Sequence, residues 1–162
     1  MNNAHWHLVL NHLPIIIPLL GVLVMIGGFI TRSDIVKRTA YFIFIFGAIS
    51  AYPALATGEG AEEVIENLAG IDEKIIHVHE EVAEIFAILS YILGAFSLIG
   101  IWANYYRKSF ANIVAILTII FSFIVLFYAR QTGTTGGEIR HTEIRKAGST
   151  LIPAAGGESE SD

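Results

Sequence analysis

Three of the six histidines in this chain, His5, His7 and His12, fall within eight residues in the stretch HWHLVLNH, directly before a long apolar run. Two more, His77 and His79, lie in HVHEE beside Glu80 and Glu81, and the sixth, His141, follows Glu138 at a three-residue spacing. Neutral imidazole suits haem iron and the transition metals Cu, Fe and Zn, and a carboxylate beside it orients its second ring nitrogen. The chain has no cysteine, which excludes disulfides, thiolate metal sites, cysteine-ligated iron-sulfur clusters and covalently attached c-type haem. Any cofactor is therefore held by His, carboxylate or Met. A His-Glu-x-x-His zinc motif is absent, and a single Glu-x-x-His pair falls short of the two that carboxylate-bridged di-metal bundles use. No phosphate loop, nucleophile elbow or triad order occurs, so no catalytic residue is assigned and enzymatic activity is left open.

The elements that must position these histidines are apolar. Of 162 residues 54% are hydrophobic and 15% charged, with a mean hydropathy of +0.60, which points to an all-α membrane protein. Crossing a hydrocarbon core of about 30 Å takes roughly 20 residues. Four runs qualify, at about 13–30, 40–56, 82–102 and 110–129; none contains Lys or Arg, and Glu84 is the one charge among them. The first run lacks a basic segment before it and is interrupted by Pro14 and Pro18, so it reads as a retained helix rather than a cleaved signal peptide. The expected architecture is one four-transmembrane-helix domain over residues 1–146, with a flexible tail at 147–162. A short amphipathic surface helix, about 61–68, is expected between helices two and three, as a lid over the bundle mouth.

Arg32, Lys37 and Arg38 in the first short link, and Arg107 and Lys108 in the last, place both links in the cytoplasm. The acidic middle link and both termini then face outward from a bacterial inner membrane, although Arg130, Arg140, Arg145 and Lys146 near the C-terminus run against that rule. Trp102, Tyr105 and Tyr106 fit an inner aromatic belt, and Trp6 and Tyr128 an outer one. With an even number of spans, every histidine lies at the same end whichever way the bundle points.

Within helix three, expected to start near Asp72, His77, Glu80, Glu81 and Glu84 share a polar stripe, while His79 lies among Ile75, Val82 and Phe86. Glu84 sits about 10 Å below His77 and is expected to face the bundle interior. The Gly- and Thr-rich stretch after Arg130 reads as a turn or loop. For haem b the minimum is two histidines on different helices. His12 and His79 are the expected pair, with His7 or His141 as substitutes, His77 as the rival on helix three, and Glu80, Glu81 and Glu84 behind them. Small residues at Gly47, Ala51, Ser90 and Gly94 suit tight helix packing, and Gly47, Ala51 and Gly94 equally suit a haem slot.

The chain also resembles a family of small four-helix bacterial membrane proteins catalogued as a transmembrane domain of unknown function. The resemblance rests on HLVLNHLP (His7, His12, Pro14), PALATG (Pro53, Thr57, Gly58), HVHEE (His77, His79, Glu80) and GGEIRH (Gly136, Gly137, His141). Leu8 and Leu13 stand where the family usually has Pro and Phe, and helix three carries two histidines where one is typical. The resemblance implies the four-helix fold and the location of the site, without a settled activity.

Three functions follow as expectations. The first is a cytochrome b-like electron carrier, passing electrons between quinol or another membrane partner and a periplasmic acceptor. The second is a non-haem protein holding Cu, Fe or Zn. The third is a structural or assembly subunit with interfacial histidines and no cofactor. The expected partners are the lipid bilayer, a quinone or periplasmic redox partner, and a homo- or hetero-oligomer; no basic patch suggests nucleic acid.

Overall fold

A computed structural model describes residues 2–66 and 73–145. The expected tail at 147–162 and the expected start of helix three at Asp72 lie outside the described residues. Among the described residues the chain is helical without strands: α1 (Asn3–Leu10), α2 (His12–Ile30), α3 (Asp34–Ala56), α4 (Gly58–Glu66), α5 (Glu73–Tyr105) and α6 (Ala111–Arg140), closed by a short 3-10 turn at Thr142–Ile144.

Four helices are long and apolar enough to cross a membrane: α1 with α2, α3 with α4, α5, and α6. They form a ring in which α2 packs on α3 and α6, and α5 packs on the same two. Such a ring is what short or antiparallel connections between successive helices produce. Its core is built from Val22, Met25, Tyr41, Phe44, Phe86, Leu93 and Val125, while Leu23, Ile30, Phe42, Leu98 and Ile120 are among many large apolar side chains turned outward. A helix that is apolar all round needs an apolar surrounding on its outer face as well.

Small polar residues let the helices approach without orphaning hydroxyl groups. Ser90, Ser97, Thr118 and Ser122 are fully buried, and each donates to a carbonyl of its own helix at 2.7–2.8 Å. Gly47 lies against Ile17 and Pro18, and a Cβ added to Gly94 would stand 2.8 Å from the Ala48 Cβ. These glycines let neighbouring helices approach closely. Gly94→Val is expected to force α3 and α5 apart and cost about 1–3 kcal/mol, read as a lower thermal unfolding midpoint in detergent.

Two sequence expectations are corrected. The first helix, expected over about 13–30, starts well before that run: Asn2 Oδ1 caps α1 by accepting from the His5 N–H at 3.0 Å, and Asn11, in the αR region, carries the turn on into α2. The stretch after Arg130 is helix too, running to Arg140. Its threonines tie back into the helix, Thr132 to the Tyr128 carbonyl and Thr134 to that of Arg130, both at 2.9 Å. Its glycines meet neighbouring side chains, Gly133 facing Ile15 and Gly136 facing His79. Glycine costs helix propensity, but here it permits close approach.

Helix α4 follows α3 almost without a break and packs on α1, bringing the N-terminal segment, α4 and the start of α5 to one end. At the opposite end α2 and α5 close with the same Schellman turn. Ser33 N–H donates to the Gly28 carbonyl at 3.0 Å, and Lys108 N–H to that of Ala103 at 2.9 Å. Both turns place an arginine, Arg32 (φ 51°) and Arg107 (φ 50°), in the left-handed position that glycine usually fills.

Candidate functional site

Because α1 runs on into α2, helical phase decides which way the first three histidines face. At 100° per residue His5 and His12 fall about 20° apart, with His7 roughly 140–200° away from them. His5 and His12 are exposed, and His7 is half-buried against the end of α3. Its Nδ1 lies 3.0 Å from the Ala54 carbonyl and 3.3 Å from Thr57 Oγ1. The Thr57 hydroxyl donates to the carbonyls of Pro53 at 2.8 Å or Ala54 at 3.1 Å, so its oxygen accepts from His7. Two acceptors at one ring nitrogen assign the proton to Nδ1 and leave the Nε2 lone pair free.

The same arrangement recurs on the other helix pair. His79 Nδ1 lies 2.9 Å from Thr135 Oγ1 on α6, and the Thr132 carbonyl also faces the ring. Thr135 donates to the carbonyls of Gln131 (3.1 Å) or Thr132 (3.2 Å), so it too accepts from the histidine. With the Thr135 hydroxyl hydrogen on a carbonyl, His79 carries its proton on Nδ1. Each ring also rests on the glycine after its threonine: a Cβ on Gly58 would meet His7 Cε1 at 3.7 Å, and one on Gly136 would meet His79 Cε1 at 3.0 Å. A histidine early in one helix is thus held by a Thr-Gly pair late in the next, twice. Sequence reasoning missed the holding roles of Ala54, Thr57, Thr132 and Thr135; the signal was a Thr-Gly dipeptide 50 and 56 residues after a helix-opening histidine.

The other expected site residues stand outside this pair. His12 is exposed, though near enough to His7 to act on it electrostatically. His77 is exposed and 3.6 Å from Glu81, and His141 is exposed and bonded to Glu143 at 2.9 Å. Glu80 is half-buried and Glu81 exposed. Glu84, expected to face the interior, is exposed, because the buried stripe of α5 runs through Ile76, Phe86, Ser90 and Leu93 and leaves the stripe of His77, Glu81 and Glu84 outside. One further group does face inward: Asn11, a turn beyond His7 on the same helix face, has a buried Oδ1 with no hydrogen-bond partner. Among the described residues no three of His, Cys, Asp and Glu gather closely enough to hold a metal ion together.

His7 and His79 lie beyond the apolar segments 13–30 and 82–102, where both rings stay neutral. Burial lowers the His7 pKa, opposed by the Ala54 carbonyl and assisted by His12. Burial, with a smaller push from neighbouring His7, holds His79 down at about 4, against the opposing Thr132 carbonyl. Unfolded, that imidazole titrates near 6.5. Between the two values the unfolded chain takes up a proton that the folded one refuses, so stability falls as pH drops from about 6.5 to about 4 and then levels off. In cofactor-free protein the loss is expected to reach about 3 kcal/mol, and His79→Gln should flatten the pH dependence of thermal unfolding over that window.

An open apolar groove of about 730 Å³ between α3 and α5 runs from Ile45 and Leu98 up to Leu13 and Pro53, the residue before Ala54. Over the described residues, fold and site together define an all-helical protein with four helices of membrane-crossing length and apolarity, and a pair of half-buried imidazoles held through Nδ1 near one end. Comparison of the chain with protein-family models, curated proteins and solved structures finds no match.

Proposed function

We propose that this chain is a four-span protein of the bacterial inner membrane that holds haem b between His7 and His79 at its outer end and carries electrons. The observation that carries this reading is the pair of imidazoles on different helices, each half-buried and held through Nδ1 by the end of the next long helix. Hydrogen bonds from Nδ1–H to carbonyl or hydroxyl oxygen orient a ligating imidazole and raise its basicity, and their loss typically weakens metal binding 10- to 100-fold. Two imidazoles, here His7 and His79, would be enough to hold haem, whereas a bare ion needs more donors than two imidazoles supply. Haem b bound there would supply a one-electron couple. The chain's own residues orient the two rings, keep them neutral and shield them from water.

The membrane placement rests on the basic short links, the outward apolar faces and an exposed aromatic cluster of Trp102, Tyr105 and Tyr106 at the end that carries those links. In this orientation both termini are outside and α4 is a short amphipathic helix on the outer surface. Membership in the four-helix family named above belongs to the same proposal, on its four sequence elements. The partners that belong to this proposal are a quinone or another membrane partner and a periplasmic redox partner.

A second reading rests on Asn11. Its orphan Oδ1, on the His7 face, would make a third donor for a Cu, Fe or Zn ion beside the two imidazoles. Haem extraction and elemental analysis of protein purified from haem-sufficient cells separate the two. One haem per chain supports the first reading, one non-haem metal ion per chain the second, and neither rejects both.

A further inference from the structure

Above the four-helix ring, the end that carries the histidines divides into two arms, each holding one of the paired rings. One arm is α1 with α4, which pack on each other so closely that a Cβ on Gly60 would stand 2.7 Å from the Asn3 Cβ. The other is the end of α5 with the end of α6, where His79 is bonded to Thr135. α1 packs on α2, α3 and α4, and α4 meets α5 lightly, so among the described residues little packing joins the first arm to the second. The arms also differ in how they leave the ring. Helices α5 and α6 run into theirs unbroken, over 33 and 30 residues. α1 and α4 are each set off by a joint, at Asn11 and at Thr57. Beside the first joint Pro14 has no N–H, so the Leu10 carbonyl lacks its helical partner. Beyond the second, Gly58 and Gly60 make α4 a weak helix.

One group at the first joint is left unsatisfied while the arm lies closed. Asn11 Oδ1 is buried without a hydrogen-bond partner, and no residue of α1 is fully buried. A buried acceptor in that state favours a movement that lets water reach it, and α1 has little burial to lose by moving. We propose that α1 and α4 swing together about Asn11 and Thr57, opening to admit haem between His7 and His79 and closing on it. The inference rests on the reading of those two rings as a ligand pair. His7 stays oriented throughout, because its Nδ1 is bonded at the second joint, to Ala54 and Thr57. His79 stays on the unbroken arm. Hinge closure around a ligand needs only a few such joint residues at the ends of helices.

The chain has no cysteine, so spin labels can be placed in pairs without background and the distance between the arms read by double electron-electron resonance. Full-length protein in detergent is labelled as Leu8→Cys with Thr134→Cys, or as Glu59→Cys with Thr134→Cys, all exposed positions on α1, α4 and α6. Ile35→Cys with Ile113→Cys, exposed at the opposite end, is the control pair. Without cofactor both arm pairs should show a second population, roughly 5 Å or more longer than the first, and the control pair a single distance. Adding haem should remove the longer population from both arm pairs and leave the control unchanged. In cofactor-free protein Asn11→Leu, which removes the orphan acceptor, should deplete the longer population roughly tenfold, whereas His12→Leu, at an exposed neighbour, should not. A single short distance in cofactor-free protein overturns the proposal, and so does an undiminished longer population in Asn11→Leu. A longer population in the Leu8→Cys pair alone means that α1 frays without α4, which also overturns it. If haem binds and the longer population persists, the arm does not close on it and the proposal falls. If haem does not bind while both arm pairs keep two populations that Asn11→Leu depletes, the hinge stands and the ligand reading of His7 and His79 is rejected.

Discussion

His79→Ala is expected to abolish haem binding outright, and His7→Ala to do the same, whereas His12→Ala and His77→Ala leave the spectrum of the purified protein unchanged. The contrast follows from where the rings point. His7 and His79 are each held through Nδ1, His7 at Ala54 and Thr57 and His79 at Thr135, and they would hold the haem between them, so removing either leaves a single imidazole for it. His12, one turn and a half further along, shares the exposed face of His5, and His77 lies exposed beside Glu81. Absorption spectra of the four variants, purified from the same haem-sufficient cells, give the answer. Loss in His12→Ala with retention in His7→Ala would return the ligand role to His12.

Gly136→Val should have nearly as large an effect without touching a ligand. An added Cβ would stand 3.0 Å from His79 Cε1 and 3.4 Å from Nδ1, and the remaining valine atoms reach further. The ring must move, and the 2.9 Å bond to Thr135 is lost with it. Overpacking of this kind costs about 1–3 kcal/mol. Cofactor affinity should also fall by the 10- to 100-fold typical of losing the group that orients a ligating histidine. Gly27→Ala is the matched control, since nothing lies within 4 Å of a Cβ there and alanine gains up to about 1 kcal/mol of helix propensity over glycine. Haem titration of the two variants separates a positioning role for Gly136 from a general cost of altering a helical glycine.

Much of the fold was legible because apolar runs of membrane-crossing length are a strong and simple signal. The orientation of individual side chains was harder to read. His12 stands directly before the apolar run at 13–30, but the helix begins nine residues before it, at Asn3, and that earlier start sets the phase that turns His7 inward and His12 outward. Glu84 was misread for a related reason: its depth along α5 was right, yet depth says nothing of angular position, and the buried stripe passes on the other side. The stretch from Gln131 to Arg140 looked like a loop because glycine and threonine are poor helix formers in isolation. Tertiary contact with His79 and Ile15, and threonine hydroxyls bonded within the helix, overrode that propensity. The repeated pairing of histidine with Thr-Gly was present in the sequence all along, but its meaning needs the two helix pairs side by side.

The central claim is that His7 and His79 ligate one haem iron through Nε2. Electron paramagnetic resonance of the oxidised protein, beside its dithionite-reduced absorption spectrum, tests it most directly. Two axial imidazoles predict low-spin ferric iron, with sharp visible bands on reduction and one haem per chain. High-spin iron, or protein from haem-sufficient membranes with no haem absorption, would contradict it.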